Sequence, residues 1–160
     1  MRRASMLFAA AALAATTSLA ACGGSSDDSP TGTTGGTSGI FSATVGGVAW
    51  TAVSPVYLIN SSGVTISGAN AGNTMTVTLS FLATGPGTVS LNFPQSTNGL
   101  GTVNKTGGQA YSTIATGGTG TVTVTTLTAH RAIGTFVFDA IGSGPTDILH
   151  VTNGKFDITF

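Results

Sequence analysis

Apolar and polar residues alternate strictly along two segments of this 160-residue chain, and that alternation constrains the fold more than any other feature. Residues 75–81 read Met-Thr-Val-Thr-Leu-Ser-Phe, and residues 155–160 read Lys-Phe-Asp-Ile-Thr-Phe. Successive side chains of a β-strand point to opposite faces, so both segments are typical of strands with one buried face. Between Ile40 and Phe160, no apolar stripe at helical spacing lasts ten residues. The sequence therefore predicts an all-β domain.

Further segments rich in Val, Ile, Thr and aromatic residues are strand candidates, most of them bounded by Gly, Asn, Asp or Pro clusters. They are residues 40–45, 48–53, 56–59, 64–69, 88–93, 109–115, 120–127, 132–140 and 148–152. Residues 94–108 form the longest loop-like stretch, with room for a short strand around Val103. Short strands joined by Gly-rich connections of uneven length favour an antiparallel β-sandwich of about 9–11 strands. A closed β-barrel is the alternative.

The N-terminus has the layout of a targeting segment. Arg2 and Arg3 precede a run of uncharged, mostly apolar residues at positions 6–21. A short positive start followed by such a run is typical of a secretory signal peptide, which we assign to residues 1–21. A membrane-spanning helix needs about 20 predominantly apolar residues, and this run is shorter and contains Thr and Ser.

The end of that run, Leu19-Ala20-Ala21-Cys22, resembles the bacterial lipobox. The resemblance implies a diacylglycerol on the Cys22 thiol, cleavage just before Cys22 and acylation of the new amino group. Cys22 is the single cysteine of the chain, so it has no disulfide partner within its own chain. The alternative is an ordinary signal-peptidase site with a spare thiol. Stable anchoring takes two acyl chains, a condition that a triacylated Cys22 meets.

Residues 22–39 are predicted to be a flexible Gly/Ser/Thr tether, because they contain no large apolar side chain. Gly23, rather than Asp, occupies the second position of the mature chain. By resemblance to lipoprotein sorting in enteric bacteria, this implies export to the outer membrane. Asp27 and Asp28 resemble the acidic surface-export signals of some lipoproteins, but solvated charges in a tether are commoner. We therefore expect the domain, residues 40–160, to face the periplasm rather than the cell surface.

Charged residues make up only 6% of the chain, against about 25% in an ordinary domain. Five Lys and Arg balance five acidic residues, so the composition argues against nucleic-acid binding. The candidates for a metal site or a general base are His130 and His150, each with Asp139, Asp147 or Asp157. Asp147 and His150 are three residues apart in a predicted strand, where their side chains point to opposite faces. No metal-binding or catalytic spacing is present, so we predict no metal, no cofactor and no enzymatic activity.

Trp50 is the most informative single side chain, and Tyr57 and Tyr111 share its ambiguity. Each is either a stacking platform for a sugar or peptide or a residue of the hydrophobic core. Base rates favour the core. A hydrolase is disfavoured because Ser67 and the other serines lack the G-x-S-x-G pattern of a nucleophile elbow.

Residues 41–50 and the C-terminal segment carry a family resemblance. The domain opens with the pattern F-x-A-x-V-x-G-x-x-W, closes with T-N-G-x-F at residues 152–156, and contains Gly-Thr-Phe-Val-Phe at 134–138. These patterns resemble a group of small uncharacterised bacterial lipoproteins. The resemblance implies a β-rich fold and no known activity.

Low charge leaves unpaired strand edges prone to pairing. Lys105 and Lys155 are candidate edge guards. The alternative is that an edge is used, either for a partner strand or for a homo-oligomer. Together these features predict an outer-membrane lipoprotein with a non-enzymatic binding or envelope-structural domain. The alternative function is a lipocalin-like carrier of a small apolar ligand, with Phe81, Phe136 or Phe138 facing its cavity.

Overall fold

The computed structural model describes residues 33–36, 39–60, 63–92 and 98–159. The predicted signal peptide, the predicted lipidation site at Cys22 and most of the predicted tether lie outside these ranges. The described residues form strands and turns and no helix, which confirms the prediction of an all-β fold. Consequently, no helix in this part of the chain is long and apolar enough to cross a membrane.

The described residues form twelve strands, which we number in chain order. They are β1 (Thr33–Gly36), β2 (Gly39–Val45), β3 (Val48–Thr51), β4 (Val53–Asn60), β5 (Gly63–Ala69), β6 (Met75–Phe81), β7 (Gly87–Ser90), β8 (Gly99–Lys105), β9 (Gln109–Ser112), β10 (Thr119–Leu127), β11 (Arg131–Ile141) and β12 (Ile148–Thr159). Neighbouring strands pair antiparallel, for example β5 with β6 and β11 with β12.

The strands form one hydrogen-bonded path, β1-β4-β5-β6-β8-β9-β11-β12-β2-β3. β10 pairs with β11 beside this path, and β7 pairs with β10. Within the described ranges, β1 and β3 end the path without pairing to each other, so the path is not closed into the barrel that we considered as the alternative.

The path folds back so that its two halves face each other. Phe81 of β6 meets Phe156 of β12, with ring centroids 5.8 Å apart. Gly101 of β8 lies against the ring of Phe138 of β11, where an added Cβ would be 3.0 Å from the nearest ring carbon. β6 and β8 therefore belong to one layer, and β11 and β12 to the other. This is a two-layer arrangement in which the hydrogen bonds run continuously from one layer into the next.

The short strand that the sequence allowed around Val103 is present as β8, but it is longer than expected: seven residues of the stretch predicted as mainly loop, Gly99–Lys105, belong to it. The inward-facing positions of β8 are Gly99, Gly101 and Val103, all of them buried. Two of the three are glycines because Leu91 and Phe138 fill the space in front of them. Glycine is usual in turns, and here it makes room for a neighbouring side chain.

β12 is one strand of twelve residues, where the sequence indicated two segments separated by a break. Its pairing with β11 shifts between Val151 and Gly154, and its pairing with β2 shifts between Thr152 and Lys155, which places one extra residue in β12. Asn153 has a φ of 52° there, in the left-handed region that Asn tolerates better than most residues. The Asn-Gly pair at 153–154 is thus a β-bulge, which bends a strand without ending it.

Three short strands form the edges of the described sheet. β1, β3 and β7 have four residues each, and brevity is one way in which proteins keep edges from pairing. β1 lies within the segment predicted as a tether, and its backbone pairs with β4. Lys105 and Lys155 lie on interior strands with partners on both sides, so the prediction that they guard edges was wrong.

Candidate functional site

The outer face of β11, β12 and β2, together with the adjoining edge strand β3, carries three adjoining grooves, and we call this surface the groove face. The bulky side chains of these strands, such as Phe136 and Phe156, point into the core, so their neighbours point outwards. Cross-strand pairing then aligns Ile133, Asp157 and Ile40 in one row across the three strands.

The first groove, which we call the isoleucine groove, is apolar. It has a volume of about 220 Å³, and Ile40 and Ile133 flank it, with Phe156 and Lys155 also lining it. Ile40 is 59% exposed and is one of nine large hydrophobic side chains exposed in the described part of the chain; it lies beside Ile133 in this groove. Exposed apolar surface rimmed by polar residues is typical of a contact site.

The second groove, which we call the hydroxyl groove, begins on the other side of Lys155. It has a volume of about 360 Å³, and its polar lining comes from Ser42, Thr44, Thr51 and Asn153. Hydroxyl and amide groups both donate and accept hydrogen bonds, so this lining suits a partner rich in hydroxyl or amide groups.

Lys155 stands between the two grooves and lines both. Among the described residues, none forms an ion pair or a hydrogen bond with its ammonium group. Its exposed position follows from the bulge, because the extra residue at Asn153 sets which side chains of β12 face outwards. The groove face therefore presents one unpaired positive charge at its centre.

Arg131 and Asp157 close the far end of the groove face. Two hydrogen bonds of 2.9 and 2.8 Å run from the guanidinium group of Arg131 to the carboxylate of Asp157. These bonds lower the pKa of Asp157 and raise the pKa of Arg131. The two residues line a third groove, of about 340 Å³, together with Ile40. The pair carries no net charge, so Lys155 supplies the one uncompensated charge among the residues that line the three grooves.

The structure brings one predicted pair of titratable residues together. His150 Nδ1 lies 2.7 Å from Asp139 Oδ1, on neighbouring strands, and the two side chains are 64% and 44% exposed. Asp157 is held by Arg131, and Asp147 accepts a hydrogen bond from the backbone of Ser143. In the described part of the chain, no three His, Cys, Asp or Glu side chains come together as a metal ion requires.

His130 belongs to no such pair in the part of the chain that the structure describes. It lies in the turn between β10 and β11, where its backbone N–H donates to the hydroxyl of Thr128.

The aromatic candidates are core residues, as base rates predicted. Trp50 is 4% exposed, its Nε1 donates to the carbonyl oxygen of Met75 at 3.2 Å, and its ring meets Phe41 edge-on. Tyr57 and Tyr111 are each 5% exposed. Burial raises the pKa of Tyr111, and the nearby carboxylate of Asp147 adds to the effect. No platform for stacking a sugar results from these three side chains.

Sequence reasoning missed the groove face. The sequence predicts Lys155 as an edge guard, and it assigns Ile40 and Ile133 only to strand segments. The signal that could have found them is the position of large aliphatic side chains out of phase with the buried phenylalanines of the same strands.

A family described as a domain of unknown function, DUF6252, matches residues 37–158. The match covers most of the chain, so the chain belongs to this family. It agrees with the predicted membership of an uncharacterised family, and it contains Arg131, Asn153 and Lys155 of the groove face. No curated protein and no solved structure matches the chain.

Proposed function

We propose that this member of the DUF6252 family is a lipid-anchored, non-enzymatic binding protein of the bacterial outer membrane. Its β domain faces the periplasm and binds an envelope component on the groove face. The anchor is the predicted lipid on Cys22, and the tether gives the domain reach from the membrane.

The observation that carries the binding proposal is the position of Lys155 between an apolar and a hydroxyl-lined groove. An unpaired ammonium group attracts an anion, and hydroxyl and amide groups hydrogen-bond to sugar or peptide groups. The isoleucine groove accepts an apolar ring face or side chain at the same time. A carboxylate-bearing glycopeptide strand combines these three properties, and we infer that the ligand is of this class.

Two features support a binding protein over the alternatives. Phe81, Phe136 and Phe138 point into the core, but they contact other rings there, with Phe136 and Phe138 centroids 6.1 Å apart. An interior filled by aromatic rings argues against the lipocalin-like carrier, because such a carrier needs an open cavity for its ligand. The pair of His150 and Asp139 lies on an open strand surface, which gives little of the water exclusion on which many active sites depend.

Co-sedimentation with purified peptidoglycan sacculi, a carboxylate-bearing glycopeptide, tests the groove face. We expect the full-length protein to sediment with sacculi, and Lys155→Ala and Ile133→Asp to weaken that binding. Lys105→Ala is the matched control, because it removes the same charge from a residue that lies over the Tyr111 ring, off the groove face. Binding should weaken as ionic strength rises, since exposed charges are screened. Equal losses for Lys105→Ala and Lys155→Ala would contradict a specific site.

Fractionation of cells tests the anchor independently. Cys22→Ser removes the acceptor thiol, so we expect the protein to leave the outer-membrane fraction or to accumulate as an unprocessed precursor. Mass spectrometry of the wild-type protein should show the added mass of the acyl chains. Unchanged membrane retention of Cys22→Ser, with no acyl mass on the wild type, would overturn the anchor and leave the groove experiment unaffected.

A further inference from the structure

The edge of β4 is occupied by a strand from the same chain. β1 pairs antiparallel with β4, with Thr33 opposite Ile59 and Gly36 opposite Val56. β1 covers four residues of β4, which is eight residues long. The edge is therefore able to accept an antiparallel strand, and its present occupant is short.

The occupant is also a poor strand by composition. β1 reads Thr-Thr-Gly-Gly, and glycine weakens strand pairing because it loses more backbone entropy and offers no side chain to pack. β4 has no charged residue, and two of its outward-facing side chains are large and apolar: Val56 is 50% exposed and Leu58 is 37% exposed. Pro55 and the irregular backbone at Ser54 limit pairing in the first half of this edge, and the uncharged residues 56–60 are the part that is prone to pair with another strand.

We propose that the edge of β4 pairs with β4 of a second copy of this chain, and that β1 is an internal strand that competes with this dimer. Directly opposite residues of an antiparallel pair share a face of the sheet. A two-fold axis at Tyr57 therefore sets Val56 of each copy opposite Leu58 of the other. The four side chains form one apolar cluster on the outer face of the paired strands. β1 has no large apolar residue, so its pairing with β4 forms no such cluster.

Sedimentation velocity of the full-length protein in detergent, over a range of concentrations, tests this. Gly35→Pro/Gly36→Pro removes two backbone N–H donors from β1 and constrains its φ angles, so we expect the dissociation constant of the dimer to fall by about tenfold or more. Deletion of residues 33–36 should act in the same direction. Gly32→Pro, just outside β1, is the matched control and should leave the constant unchanged.

Leu58→Lys should abolish the dimer, because it introduces a charge into the apolar cluster. Val48→Lys is its control, since Val48 is 66% exposed on the other edge of the path, in β3. Trp50 emission and circular dichroism verify that each variant is folded. The proposal is overturned if the proline variant is monomeric at every concentration. It is also overturned if this variant dimerises less than wild type, which would indicate exchange of β1 between copies. A dimer that is removed by Val48→Lys rather than by Leu58→Lys would overturn it as well.

Discussion

Phe136 and Gly154 lie directly opposite each other on β11 and β12, and the ring of Phe136 occupies the space that a side chain at position 154 would take. A Cβ on Gly154 would lie 2.5 Å from Cγ, Cδ2 and Cε2 of that ring. The relation is reciprocal two residues along, where Gly134 of β11 faces Phe156 of β12. Two G-x-F segments therefore run antiparallel, and each phenylalanine covers the glycine of the other. Aromatic rings over cross-strand glycines help to fix strand register.

Gly154→Ala should destabilise the domain by about 1–3 kcal/mol, because the added methyl group cannot enter without displacing Phe136 from the core. Urea unfolding followed by Trp50 fluorescence measures the free energy of unfolding. Gly144→Ala is the control: nothing lies within 4 Å of a Cβ there, so its effect should stay within about 0.5 kcal/mol. Adding Phe136→Leu to Gly154→Ala should give a total cost smaller than the sum of the single costs, because the shorter side chain vacates space for the methyl group. Additive costs would contradict the pairing.

Leu79→Ala should cost about 2–5 kcal/mol, because Leu79 has no exposed surface and its truncation leaves a cavity between the layers. Thr78→Ala, one residue earlier on the opposite face, should cost under about 1.5 kcal/mol. It removes one hydrogen bond to Ser67, of 2.8 Å, from a partly exposed surface where water replaces it. Equal midpoints in urea for the two variants would mean that the faces of β6 are reversed.

Asn153→Val should destabilise the domain by about 1–2 kcal/mol, because a β-branched residue is strained at a φ of 52°. Asn153→Gly should be nearly neutral, since glycine adopts this conformation freely. Thr152→Val, at the neighbouring residue, controls for the introduction of the same side chain into β12. The bulge also sets which side chains of β12 face the grooves. Both variants remove the Asn153 amide from the hydroxyl groove, but only the valine strains the bulge, so sacculus binding should weaken more in Asn153→Val than in Asn153→Gly. Equal stability of the Val and Gly variants would contradict a conformational role for Asn153.

The fold was predictable where side chains alternate and unpredictable where glycines fill inward positions. The strand that the alternation predicted at Met75–Phe81 is present with the same bounds as β6. β8 was expected only as a short strand around Val103, because Gly99 and Gly101 mark loops by composition, and only the three-dimensional arrangement shows Leu91 and Phe138 in front of them. β1 was missed because its pairing depends on backbone hydrogen bonds to β4, which composition does not report.

The candidate site depended on strand order, which the sequence leaves open. The sequence offered three carboxylates as partners of His150. The register between β11 and β12 places Asp139 directly opposite His150, and spacing along the chain does not show this. Lys155 was predicted to lie on an edge strand because the sequence around it does not indicate that β2 pairs with β12. Residues from β2, β3 and β12 meet at the hydroxyl groove although they lie about 100 positions apart in the sequence.

Asp157→Asn should remove a stabilising contribution that exists only above acidic pH. The hydrogen bonds from Arg131 lower the pKa of Asp157 in the folded protein relative to its ordinary value of about 3.9 in the unfolded chain. Stability from a lowered carboxyl pKa is present above the unfolded value and is lost as pH falls through the folded value. The difference in unfolding free energy between wild type and Asp157→Asn should therefore be constant from about pH 5 to 8 and shrink below about pH 4.

Screening by salt should reduce this difference in unfolding free energy, because the Arg131–Asp157 pair is exposed. In an Arg131→Gln background, Asp157→Asn should show much less of this pH dependence; an undiminished pH dependence there would show that Arg131 is not its cause.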